Sequence, residues 1–191
     1  LVHQQARQLG MRLIAPDRPG YGGSSIQPER RIRDWPEDLA ALADALELQH
    51  FALIGVSGGA AYALATLAAL PERIRGCALI CPLGPVYLDA LLRQMTLWVQ
   101  TTLRIGHQPR WMIDLIFSHP MTAGLQHWPG IVGQIRSMSA AEPDRRALAI
   151  GETAAILDRT IEEAMARGAP GAKQDLALYL RPWEVDFAQI Q

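Results

Sequence analysis

Hydrophobic and polar positions fall into two textures along this chain. In the first 84 residues, short apolar runs are separated by stretches with helical spacing. Residues 2–9 read as the tail of a helix stopped by Gly10. Residues 11–15 form an apolar run of strand length, followed by a loop dense in turn residues from Pro16 to Ser25. Asp34 and Glu37 fit a capping box, and Leu39, Leu42 and Leu46 then recur at helical spacing. Residues 51–56 read as a buried strand, and residues 60–70 as an alanine- and leucine-rich helix ended by Pro71. Residues 77–81 read as a third strand, closed by Pro82 and Gly84. This alternation predicts an α/β core: a parallel sheet with helices on its faces.

After Pro85 no strand-like run follows. The spacing predicts a long helix over residues 87–103, then shorter helices over 111–117, 144–150, 153–167 and 172–180. Gly168 stops one of them and Pro182 closes the last. The expected organisation is a partial core of three strands over residues 1–84, a helical cap over 85–182, and a return to the core over 183–191. Trp98, Trp111, Trp128 and Trp183 enrich the second half in aromatic surface. A greasy pocket and plain helix packing both account for them.

Composition narrows the field. The chain has 191 residues, and its 49% hydrophobic content can fill a sizeable core. Its formal net charge is −1 with both signs interspersed, which argues against a nucleic-acid binder. Cys77 and Cys81 stand four apart in the third strand, ~13 Å at the rise of an extended chain. That separation is too long for a disulfide. Two buried free thiols fit a reducing compartment, and the cytoplasm is expected. The chain begins at Leu1, and no signal peptide is visible.

Candidate chemistry centres on Gly55-Val56-Ser57-Gly58-Gly59, which fits G-x-S-x-G between the apolar run 51–54 and the helix from Ala60. That pattern places a serine on a sharp strand-to-helix turn with its hydroxyl exposed. A membrane span competes for the same segment. Residues 51–70 carry no charge, and Gly55 and Gly59 form G-x-x-x-G. Adjacent Gly58 and Gly59 weaken a continuous helix there, so the soluble strand–turn–helix is preferred and no membrane span is expected. His3, His50, His107, His119 and His127 show no metal-ligand spacing, and neither metal nor cofactor is expected. Asp89 and Asp114 precede His119 and His127, but in predicted helices rather than at strand ends. Asp175 and Asp186 precede no histidine.

Two motifs together, Gly55–Gly59 and the Asp17-Arg18-Pro19-Gly20-Tyr21-Gly22 loop, resemble the α/β-hydrolase superfamily. The stretch from Glu162 to Ile190, with Asp175-Leu176-Ala177 and Arg181-Pro182-Trp183, is similar to the end of that family's cap. The resemblance implies a serine hydrolase for a small, apolar ester or amide. Ser57 would be the nucleophile, and the Gly58 backbone N–H half of the oxyanion hole. It also implies that a His-Gly loop belongs before Leu1 and that the acid and histidine partners belong after Gln191. The chain is therefore expected to be an internal piece, inactive by itself. A core strand expected before Leu1 would lie between the 11–15 strand and the 51–56 strand, leaving the latter to pair only with the strand at 77–81. The rival from another class is a non-catalytic binding or interaction protein with this fold.

Overall fold

The computed structural model describes residues 2–118 and 142–190. In chain order its elements are α1 (Val2–Gln8), α2 (Trp35–Ala45), β1 (Phe51–Val56), α3 (Gly59–Ala69), β2 (Ile74–Ile80), α4 (Asp89–Leu92), α5 (Leu97–Arg104), α6 (Arg110–Ser118), α7 (Glu142–Leu148), α8 (Gly151–Met165) and α9 (Pro170–Tyr179). They fall into two units, one from described residues 2–26 and 142–171, the other from 27–118 and 172–190.

In the first unit, α1 ends as its glycine dictates. Gly10 takes φ +66, its N–H donates to Arg7 O at 3.0 Å, and the Met11 N–H donates to Ala6 O at 2.8 Å. This pair of bonds caps carbonyls that the last turn would leave bare. The strand expected over residues 11–15 does not form, and among the described residues the sheet has two strands rather than three. An apolar run becomes a strand only where a neighbour pairs its backbone. Residues 11–15 join no ladder, and Met11 and Leu13 stay 56% and 46% exposed. The loop that follows closes on itself. Gly23 N–H donates to Asp17 Oδ2 at 3.2 Å and Ser24 Oγ to the Asp17 carbonyl at 2.8 Å. It is tied to the far segment of the same unit by Gly22 N–H to Ala164 O and Gly171 N–H to Gly20 O, both 3.1 Å.

In the second unit, β1 and β2 pair in parallel, with Leu53 beside Cys77, Ile54 beside Ala78 and Val56 beside Ile80. Parallel strands need a crossover, and α3 supplies it. Gly55 is the point of closest approach: a Cβ there would stand 2.9 Å from Ala63 Cβ and 3.0 Å from Ala60 Cα. The opposite sheet face is apolar and open, with Ile54, Val56 and Ile80 exposed. The core gathers Ile32, Ala61, Tyr62 and Ala65 with Val86, Leu92, Leu103, Leu178, Tyr179, Leu180 and Trp183.

Three local expectations need correction. The single helix expected over 87–103 is two, α4 and α5, because Thr96 starts a new one. Its hydroxyl accepts from Val99 N–H at 3.5 Å, and Gln100 Nε2 donates to Met95 O at 2.8 Å in the intervening turn. Asp34 does not cap α2 with its side chain. Its carboxylate instead accepts the Arg31 N–H at 2.8 Å, closing the short 3-10 turn Ile32–Asp34 ahead of α2. Cys81 is exposed just beyond the end of β2, not buried within it; both thiols are free.

Candidate active site

β1 and α3 meet at Ser57, and the turn between them is tight. Ser57 takes φ +49, the left-handed region that L side chains avoid, and is exposed. Such strain persists only where surrounding bonds fix it. Here the Ser57 N–H donates to Ile80 O at 3.0 Å, while its carbonyl accepts from Ala60 N–H at 3.1 Å and Leu83 N–H at 3.0 Å. Both the helix and the chain leaving β2 therefore hold the corner. Residues 51–70 are thus strand, turn and helix, and among the described residues no helix is long and apolar enough to cross a membrane.

Gly58, the next residue, makes no backbone or side-chain hydrogen bond through its N–H among the described residues. Its Cα faces the Tyr179 side chain. A Cβ at position 58 would collide with the Tyr179 hydroxyl and lie 2.6 Å from Cζ. The Tyr179 hydroxyl donates to Asp175 Oδ2 at 3.2 Å. The other carboxylate oxygen, Asp175 Oδ1, accepts from Arg30 Nη2 and from the Tyr62 hydroxyl, each at 2.5 Å. Arg30 also donates through Nη1 to the Tyr62 oxygen at 2.5 Å and through Nε to Gln174 Oε1 at 2.8 Å. Gln174 Nε2 in turn reaches the carbonyls of Gln27 and Pro28, at 2.6 and 2.8 Å.

All four members of this cluster are buried: Asp175 and Tyr62 at 2% exposure, Arg30 at 7% and Tyr179 at 8%. Burial pulls the Arg30 guanidinium down, but Tyr62 and Asp175 outweigh it, and its pKa lies above the ordinary value. Sequence reasoning passed over this cluster. The only local signal was the i, i+4 spacing of Asp175 and Tyr179, which sets both on one face of α9.

The remaining residues singled out from sequence do not gather at Ser57. No described side chain hydrogen-bonds its hydroxyl. His50 is exposed just before β1, at the far end of that strand, and His3 and His107 are exposed elsewhere. Asp89 pairs with Arg93, Asp114 with Lys173 at 2.8 Å, and Asp186 accepts from Ala188 N–H at 3.0 Å. Lys173 holds the exposed Asp114 carboxyl below the ordinary range. His119, His127 and Trp128 lie outside the described residues. Among the described residues, no group of three or more His, Cys, Asp or Glu side chains could hold a metal ion.

A family model described as alpha/beta hydrolase fold matches residues 2–132, more than half of the chain. No curated protein and no solved structure matches it.

Proposed function

This chain belongs to the alpha/beta hydrolase fold family, and we propose that it carries the nucleophile of a serine hydrolase acting on a small, apolar ester or amide. The observation behind this reading is Ser57 itself, exposed at φ +49 on the turn from β1 to α3. Its Oγ loses a proton to a histidine base and attacks the substrate carbonyl carbon, and the carbonyl π pair moves onto oxygen. The Gly58 N–H donates to that oxyanion. Collapse expels the alcohol or amine, which takes a proton, and water then releases the acid from Ser57. Family membership supports hydrolase activity in general; the acyl-enzyme on Ser57 is our assignment. We assign residues 85–182 to a helical cap that selects the substrate, and 1–84 with 183–191 to the core. Two free thiols support a cytoplasmic location.

No described side chain is bonded to Ser57 Oγ as a base. The 191-residue chain is therefore expected to hydrolyse short aryl esters no faster than its Ser57→Ala variant. Expressed with the flanking reading frame, turnover is expected, and Ser57→Ala lowers it by about 10³ or more. Turnover in that protein that ignores Ser57 overturns the reading. Absence of any turnover, together with saturable binding of apolar esters, favours the non-catalytic binding protein.

A further inference from the structure

We propose that Tyr179 is a positioning residue for the Gly58 N–H, held in place by the buried Arg30–Tyr62–Asp175 cluster. The consequence for catalysis rests on the hydrolase reading above; the positioning itself does not.

Three observations converge on it. First, Tyr179 occupies the space a side chain at position 58 would need, so the backbone of Gly58 packs directly on the phenol. The peptide that carries the 58 N–H also carries the Ser57 carbonyl, which accepts from Ala60 N–H at 3.1 Å and Leu83 N–H at 3.0 Å, and Tyr179 walls off the side-chain face of the next atom, Gly58 Cα. Second, the phenol is itself fixed. Its hydroxyl donates to Asp175 Oδ2, its ring stands edge-on to Tyr62 with centroids 6.5 Å apart, and its carbonyl accepts from Trp183 Nε1 at 3.4 Å. Third, Asp175 is a poor choice for stability alone. A buried carboxylate needs its partners to offset desolvation, and an apolar side chain of the same size serves packing as well or better. Arg30, Tyr62 and Tyr179 together form a polar set whose output is the orientation of one aromatic ring. That ring ends against the residue whose N–H must point at a developing oxyanion. A donor aimed at the transition state contributes only if it is preorganised, and Tyr179 adds a steric wall at Gly58 Cα to the hydrogen bonds that hold the Ser57 carbonyl of the same peptide.

The test uses the ¹⁵N-labelled 191-residue chain. In the wild type, an NOE between the Tyr179 ring protons and Gly58 Hα is expected, with a Gly58 N–H order parameter near ~0.85. Tyr179→Phe keeps the ring but releases it from Asp175; Tyr179→Leu removes the ring. The order parameter is expected to stay near the wild-type value in the first and to fall measurably in the second, stopping short of the flexible range because the Ser57 carbonyl bonds persist. Leu103→Ala, a core truncation in α5, controls for lost stability: it lowers Tm but leaves Gly58 N–H order unchanged. In the protein expressed with its flanking frame, Tyr179→Leu is expected to lower kcat about tenfold with KM within about twofold.

An absent NOE in the wild type overturns the proposal without any variant. So does a Gly58 order parameter unchanged in folded Tyr179→Leu, or one that falls equally in Leu103→Ala. Absence of Ser57-dependent turnover in the protein expressed with its flanking frame sinks the hydrolase reading, while an intact NOE and order response in the 191-residue chain leave Tyr179 as a residue that steadies Gly58.

Discussion

Ser57 and Cys81 leave neighbouring strands side by side, one position beyond the paired Val56 and Ile80, and both turn at positive φ, +49 and +46. The sheet thus ends in two left-handed corners rather than one. Only the serine corner leads into a helix; after Cys81 the chain continues through Pro82 to Leu83, whose N–H returns to Ser57 O. The two cysteines differ accordingly. Cys81 is exposed, whereas Cys77 is half-buried and burial pushes its thiol pKa up. Native-state alkylation with iodoacetamide, read by peptide mass, is expected to label Cys81 at least about tenfold faster than Cys77, because the thiolate is the reactive form. Equal rates would mean that β2 opens as readily as its end.

The strain at Ser57 has a stability signature. Glycine enters the left-handed region without steric cost, so Ser57→Gly is expected to leave the unfolding free energy measured in urea unchanged or raise it by up to about 1 kcal/mol. Ser57→Val, branched at Cβ, is expected to lower it by about 1–3 kcal/mol at an exposed position where burial contributes little. A valine variant as stable as the wild type would show that the corner is relaxed.

Much of this arrangement was legible in the sequence. The apolar run at Phe51, the glycines around Ser57 and the alanine-rich helix after them are local features, and local sterics set the strand-to-helix turn there. Gly10 and Gly168, with φ of +66 and +85, likewise marked stops that a single residue decides. Residues 11–15 misled because strand formation is a property of pairs, and nothing in that run encodes its partner. The break at Thr96 was missed because the apolar spacing of Leu91, Leu92, Met95 and Val99 runs unbroken through a turn that one hydroxyl initiates. The Arg30–Asp175 contact, 145 residues apart in sequence, had no local trace at all.

That contact should dominate the energetics of the second unit. Removing one partner of a buried, hydrogen-bonded ion pair leaves the other charge uncompensated and costs about 3–5 kcal/mol. Arg30→Met and Asp175→Leu are each expected to destabilise by that order in urea titrations. The double variant is expected to lose far less than the sum, because neither charge is then stranded. Additive losses would indicate that the two side chains act separately.

A second ion pair, Asp34 with Arg31, makes stability depend on pH. Asp34 accepts from Arg31 through its backbone N–H at 2.8 Å and through Nη2 at 2.9 Å, and Arg33, Glu37 and Glu184 stand in the same neighbourhood. Partial burial pushes the Asp34 carboxyl up, but the Arg31 hydrogen bonds and charge outweigh it, and its pKa lies below 3.8. With the folded value depressed, the unfolded chain takes up the proton first as pH falls. Asp34 therefore contributes its full stability above 3.8, loses it as pH drops toward the folded pKa, and contributes none below. Arg31 is half exposed, so solvent screening keeps the contribution under about 1 kcal/mol. The difference in unfolding free energy between wild type and Asp34→Asn is expected to be constant from pH 6 to about pH 4.5, then to close as the pH falls further. Added salt shrinks that difference at the upper end, since the pair is exposed enough for ions to reach it. A difference that widens on acidification would reverse the sign and remove Asp34 as the source.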